Sequence, residues 1–256
     1  MYRFMFLLIL GLFLNGCGSP EVNDDVERFE ITVSAAASMQ NVLEELKKNF
    51  EEKHSTIDIS FNFGASGALA QQISQGAPVD LFLSASLEKF NALRDDGLIH
   101  DKYEQNLIGN EIVLITPKEN NNNIKSVEDL KKAERISIGI PEIVPAGAYA
   151  KEALNNMGLW NTIENQLILA KDVRQVLTYV ETENVDAGFV YKTDTQTSDQ
   201  IQVITSVDSK FHSPIIYPIG VIKSSKHVEE ATLLYEYLSS EEAITLFEEY
   251  GFTRIQ

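Results

Sequence analysis

"FNFGASGALAQQISQGAPVDLFLSA", residues 61 to 85, holds three signals in one stretch. It completes an apolar strand over Ile57 to Phe63, continues with Leu69 and Ile73 four apart before a stop at Gly76, and ends in the near-continuous apolar run "VDLFLSA" (79 to 85) of a buried strand. Strand, helix and strand in this order form a βαβ unit. Its first turn is made of Gly64, Ala65, Ser66 and Gly67. Residues this small let a backbone N–H touch a ligand. They equally permit a tight turn and nothing more, so the stretch alone leaves both readings open.

The same rhythm extends in both directions. "EITVS" (30 to 34) leads into Met39, Val42, Leu43, Leu46 and Phe50 at helical spacing, and Leu87, Phe90 and Leu93 form a helix closed by Gly97. After Gly109, "NEIVLITPK" is a strand, followed by the polar loop "ENNNNIK" and by Ser126 with Asp129, which resembles a capping box. "RISIGI" (135 to 140) is a strand, "AGAYAKEALNNM" a helix ending at Gly158, and "NQLILA" precedes Asp172, placed with Gln175 to cap the helix "VRQVLTYV". "DAGFVY" (186 to 191) and apolar runs near Ile201 to Ile204 and Ile215 to Ile222 are strands, and two amphipathic helices end at Gly251. Strands separated by helices imply mostly parallel sheets flanked by helices, an α/β fold.

Collecting the strand-to-helix turns answers the question that the first stretch leaves open. "SAAAS" (34 to 38), "GASG" (64 to 67), "PAGA" (145 to 148) and "AKDV" (170 to 173) all open a helix. In a parallel sheet such turns lie at the carboxyl edge, where ligands bind. Each helix start offers unpaired N–H groups and roughly half a positive charge, so four together approach about +2. That suits a small dianion, and Ser38 and Ser66 add hydroxyl donors.

The ends and the charge bound the setting. Met1 to Leu14 carries one cation, Arg3, and an apolar run too short to span a bilayer, as in a signal peptide. Leu14-Asn15-Gly16-Cys17 resembles a bacterial lipoprotein cleavage box, which makes residues 1 to 16 the signal peptide and Cys17, the single cysteine, the lipidation site. Residues 17 to 29 read as a tether to the membrane, with the folded part beginning near Phe29. A net charge of −17 argues against nucleic acid and anionic lipid as partners.

"AAASM" (35 to 39), "GASGALAQQISQGAPVDLFLSA" (64 to 85), "PEIVPAGAYAKEAL" (141 to 154), "DVRQVLTYVE" (172 to 181), "DAGFVYKTD" (186 to 194) and the late "EEYGFT" together resemble the molybdate-binding proteins of bacterial molybdate ABC importers. The resemblance runs in order from about Ile31 to Phe252. It implies a two-lobed type II periplasmic-binding-protein fold, each lobe a sheet flanked by helices, with two crossing strands. On that footing lobe one is 30 to 112 plus 213 to 256 and lobe two 113 to 212, with Asn110 to Thr116 and Ile215 to Ile222 near the crossings. The family's ligand contacts fall on Ser38, Ser66, Ala146, Val173 and Tyr191. The first two would donate from hydroxyl and amide, the next two from amides, and the tyrosine from its phenol. The resemblance further implies capture of molybdate or tungstate, no cofactor, no direct protein–metal ligand, delivery to a membrane permease and its ATPase, and a monomer held by lipid on the extracytoplasmic face. Met39 stands where leucine is commoner, and Ala65 and Gly67 where some relatives have serine.

Donor counting supplies the selectivity. A site of neutral N–H and O–H donors cannot accept a proton, so a protonated oxyanion leaves one group unpaired at about 1–3 kcal/mol. Molybdate, tungstate and sulfate pass that test, and donor spacing must then separate the small ion from the large ones. Other classes fit less well. Ser66 as a nucleophile lacks the second glycine of G-x-S-x-G, and His54, His100, His212 and His227 stand in loops or polar stretches where solvent exposure is expected. No two histidines have metal-ligand spacing, and Lys171 and Arg174 are expected to decorate a helix start. A binding protein for sulfate or an organic acid is the remaining alternative.

Overall fold

A computed structural model describes residues 28–255; the expected signal peptide, Cys17 and residues 17–27 of the expected tether lie outside them. The chain runs β1 (Phe29–Ala36), a 3-10 turn (Ala37–Met39), α1 (Gln40–Lys53), β2 (Ile57–Gly64), α2 (Ser66–Ser74), β3 (Leu81–Leu83), α3 (Leu87–Asp95) and β4 (Ile99–Gly109). It continues with β5 (Ile112–Pro117), β6 (Ile136–Gly139), α4 (Pro145–Asn156), α5 (Trp160–Ile163), β7 (Leu167–Ala170), α6 (Val173–Glu181), β8 (Ala187–Tyr191) and β9 (Ile201–Ser206). β10 (Ile216–Ile222), α7 (Val228–Leu238), α8 (Glu241–Glu249) and β11 (Thr253–Arg254) complete it.

The strands form two sheets, ordered β11-β4-β10-β3-β1-β2 and β7-β6-β8-β5-β9. Each is the centre of one lobe. Met39, Val42, Leu43, Leu46 and Phe50, the helical stripe of the sequence, are all buried. On the first sheet, α2 and α3 enclose a separate apolar cluster with Leu69, Ile73, Phe82, Phe90 and Leu93. Helix ends fall where glycine accepts a left-handed backbone, as at Gly97 (φ +74°) and Gly251 (φ +82°).

The sheets are mixed where mostly parallel ones were expected. β1 pairs β2 and β3 in parallel, and β6 pairs β7 and β8 in parallel, but β5 and β10 run antiparallel to all their neighbours. The path of the chain causes this. β5 begins beside Tyr191 and β10 begins beside Gly109, so each enters its sheet at the end where its neighbours finish. A strand entering there must run the opposite way. The chain passes from the first sheet to the second through Asn110 and Glu111 and returns before Ile216.

Local readings differ in two places. β4, which no apolar periodicity announced, has only half-buried and exposed residues over His100 to Asn106 and is held by β10 and β11 on its two sides. The capping box at Ser126 is absent: Val127–Lys132 is a 3-10 helix without a side-chain cap, and the Asp129 carboxylate instead accepts from Lys125 N at 3.0 Å.

α4 sits directly against the end of β6, because a Cβ on Gly147 would run into the carbonyl of Gly139. Gly147→Ala is expected to lower the unfolding free energy by about 1–3 kcal/mol or more, as overpacking does, in urea titrations.

Candidate ligand-binding site

Parallel pairing sets the turns side by side. Ala36 stands opposite Gly64 at the ends of β1 and β2, and Gly139 opposite Ala170 at the ends of β6 and β7. The turns that follow these strands line one cavity: Ser38, Ser66 and Ala85 from the first lobe, Ala146, Val173 and Tyr191 from the second. All five residues expected at a ligand are therefore brought together, and all are buried. The cavity is small, about 10 Å3, close to the least that holds one water.

Each wall presents donors. Ser66 opens α2, and its Oγ accepts from Ala85 N at 2.9 Å, which leaves its own proton for another acceptor. Ser38, in the 3-10 turn, has its Oγ 3.0 Å from Tyr217 Oη. α4 starts with Pro145, which has no N–H, so Ala146 supplies the first one. α6 starts after Asp172, whose carboxylate accepts from Gln175 N at 2.8 Å while Gln175 Oε1 accepts from Lys171 N at 2.8 Å. This is the cap that Asp172 and Gln175 promised, and it leaves Val173 N free. Among the described residues, the amides of Ser66, Ala146 and Val173 donate to no group of the chain.

Tyr191 ends β8, 1% exposed, with no hydrogen-bond partner for its hydroxyl. Its ring meets that of Tyr217 edge to face at 5.7 Å, without a hydrogen bond between the two hydroxyls. Burial, with smaller contributions from neighbouring groups, pushes the Tyr191 phenol well above its ordinary value, so it keeps its proton at neutral pH. A buried unpaired donor is costly unless a guest takes it.

No cation lines this cavity among the described residues. Lys171 is exposed, but Arg174 does more than decorate its helix: Nε donates to Ala37 O at 3.3 Å and Nη2 to Asn41 Oδ1 at 3.1 Å, both in the first lobe. It faces a neighbouring cavity of about 110 Å3. Its Nε also lies 3.3 Å from Asp194 Oδ1, a charge contact whose geometry is too poor for a hydrogen bond to that oxygen. Burial pushes the Asp194 carboxyl up to about 6 against the opposing pull of Arg174. This bridge was illegible locally, since it joins residues 133 and 137 positions apart. A second bridge is made of backbone alone: Gly67 N donates to Ile143 O at 2.9 Å, and a Cβ at position 67 would lie 2.7 Å from that oxygen.

All four histidines are half-buried, not exposed as expected, and none lines the cavity, so no imidazole stands there as a base for Ser66. Among the described residues no group of three His, Cys, Asp or Glu is placed to hold a metal ion, and no helix is long and apolar enough to cross a membrane.

Residues 31–253 match the family model of bacterial extracellular solute-binding proteins. The chain is 49% identical to YvgL of Bacillus subtilis, provisionally named an ABC transporter substrate-binding lipoprotein, over 98% of this chain and 96% of that one. It is 34% identical to the molybdate-binding protein ModA of Haemophilus influenzae over 88% of this chain and 90% of that one. Among solved structures, the substrate-binding domain of a provisionally assigned molybdenum ABC transporter from Clostridium difficile is 39% identical, with a TM-score of 0.69 over 89% of this chain and 100% of that one.

Two outcomes follow from the bridges. Gly67→Ala is expected to hold the lobes apart, seen as a larger radius of gyration in small-angle X-ray scattering with the unfolding midpoint little changed. For Asp194, a folded-state pKa raised from 3.8 to about 6 means that the folded chain holds a proton the unfolded chain has released across that window. This group therefore makes stability fall as pH rises from about 4 to about 6. The unfolding free energy of the wild type relative to Asp194→Asn should drop over that window by up to about 3 kcal/mol; a flat difference in urea titrations would refute the assignment.

Proposed function

The chain belongs to the bacterial extracellular solute-binding proteins, and from that premise we propose that it captures molybdate, or the nearly equal-sized tungstate, between its lobes and delivers it to the permease and ATPase of an ABC importer. The observation that carries this reading is one buried hole that gathers Ser38, Ser66, Ala146, Val173 and Tyr191 with no cation among the described residues lining it. These residues act as the ligand's donors. Oxygens of a fully deprotonated tetrahedral ion accept from all of them, whereas a protonated ion brings a hydrogen for which the backbone amides offer no acceptor. A guest larger than water seats itself by parting the lobes slightly, since opposite walls belong to opposite lobes. Binding to both walls then favours the closed form.

The protein needs no cofactor, and the metal is gripped through its oxygens. It works as a binding protein, not an enzyme: Ser66 serves as a donor whose oxygen is already occupied by Ala85 N. A lipid on Cys17 holds it, as a monomer, on the extracytoplasmic face, a reading supported by its likeness to a Bacillus subtilis protein named as a lipoprotein.

Thermal melts test the reading. Molybdate or tungstate at a thousand times its dissociation constant raises stability by about 4 kcal/mol, while sulfate and phosphate at the same concentration do far less. Ser66→Ala weakens molybdate binding about ten- to hundredfold with the fold intact. Equal stabilisation by sulfate, or unchanged affinity in Ser66→Ala, would bring the reading down.

A further inference from the structure

Ser38 Oγ has a single hydrogen-bond partner among the described residues, Tyr217 Oη at 3.0 Å, and two hydroxyls can share a hydrogen in either direction. The groups behind Tyr217 decide which. Glu111 N donates to Asn110 Oδ1 at 2.8 Å, and a backbone N–H can only donate. The Asn110 amide is thereby oriented, with Nδ2 turned inward. Its two hydrogens go to Thr193 Oγ1 at 3.0 Å and Tyr217 Oη at 3.1 Å. Tyr217 Oη thus receives a hydrogen from Asn110. The phenol is fully buried, and the acceptor left for its own hydrogen is Ser38 Oγ. Once Ser38 accepts there, its hydrogen is left for the cavity.

We propose that Asn110 and Tyr217 are positioning residues that set the Ser38 hydroxyl to act as a donor, and that this ordering removes Ser38 as an acceptor for the hydrogen of a protonated oxyanion. The inference rests on the reading of the cavity as an oxyanion site. Without the ordering, a serine hydroxyl is ambivalent: it can turn a lone pair inward and accept the hydrogen of a protonated ion. The device has a counterpart across the same wall, where the fixed Ala85 N–H occupies Ser66 Oγ and leaves that hydroxyl to donate. Burial holds the Tyr217 phenol well above its ordinary value, so it retains the hydrogen it gives. Neither residue needs to touch the guest: both act through Ser38.

The test is a cycle of Tyr217→Phe, Ser38→Ala and the double variant, with dissociation constants for sodium molybdate and sodium phosphate measured calorimetrically near pH 8, where phosphate carries one hydrogen. In Tyr217→Phe the ratio of the phosphate to the molybdate dissociation constant should fall about tenfold or more, and the fall should vanish when Ser38 is already alanine. Asn110→Ala, which keeps Tyr217 but removes the amide that orients it, should shift the ratio in the same direction and serves if Tyr217→Phe does not fold. A merely structural role weakens both anions by one factor. An unchanged ratio in the folded variants, with molybdate still bound by the wild type, overturns the ordering alone. A wild type that binds neither molybdate nor tungstate overturns this inference together with the proposed function.

Discussion

A backbone N–H can serve a guest only where no side chain stands between helix start and ligand, and that requirement shapes both lobes. It accounts for Ala36 against Gly64 at paired strand ends, for α4 meeting β6 through Gly147 and Gly139, and for Gly67 against the Ile143 backbone. Small residues here are the means by which main chain reaches main chain and ligand. Tyr191 is the exception that fits the rule: its ring fills space, and only its hydroxyl is left unpaired at the hole.

Electrostatics works on a local scale against the overall field. On the proposed reading, a chain of net charge −17 holds an anion with partial charges at helix starts, which act within about one turn. The nearby formal cation is Arg174, and its charge faces Asp194 and the carbonyl of Ala37 instead of the hole. A free guanidinium at the hole would attract any anion and dull the distinction between them. Directed at the other lobe, it contributes to closure instead.

Much of this was legible in the sequence because it is written in local pattern. The strand-to-helix rhythm, the capping pair Asp172 and Gln175 and the four small-residue turns all follow from spacing and residue size. Four of the five cavity positions follow from those turns, whereas Tyr191 came from family resemblance, a tyrosine at a strand end being no signal by itself. What stayed hidden depends on distant partners. β4 carries a run of half-exposed residues and is a strand because β10 and β11 flank it. Strand direction depends on where the chain enters a sheet, which no local pattern records. Arg174 looks like a surface cation until the other lobe is present, and Asn110 and Tyr217 fall in the segments expected near the crossings, where no local pattern marks their hydrogen bonds.

The two walls of the hole differ in where their donors reside. Ser38 and Ser66 offer side chains, as does Tyr191, while Ala146 and Val173 offer only main chain. A codon change can delete a hydroxyl, but at 146 or 173 any residue other than proline still carries its amide. One face of the grip is thus exposed to genetic drift residue by residue, and much of the other is inherited with the course of the chain itself. Lineages that diverge on this scaffold would revise ligand preference chiefly through the serine side.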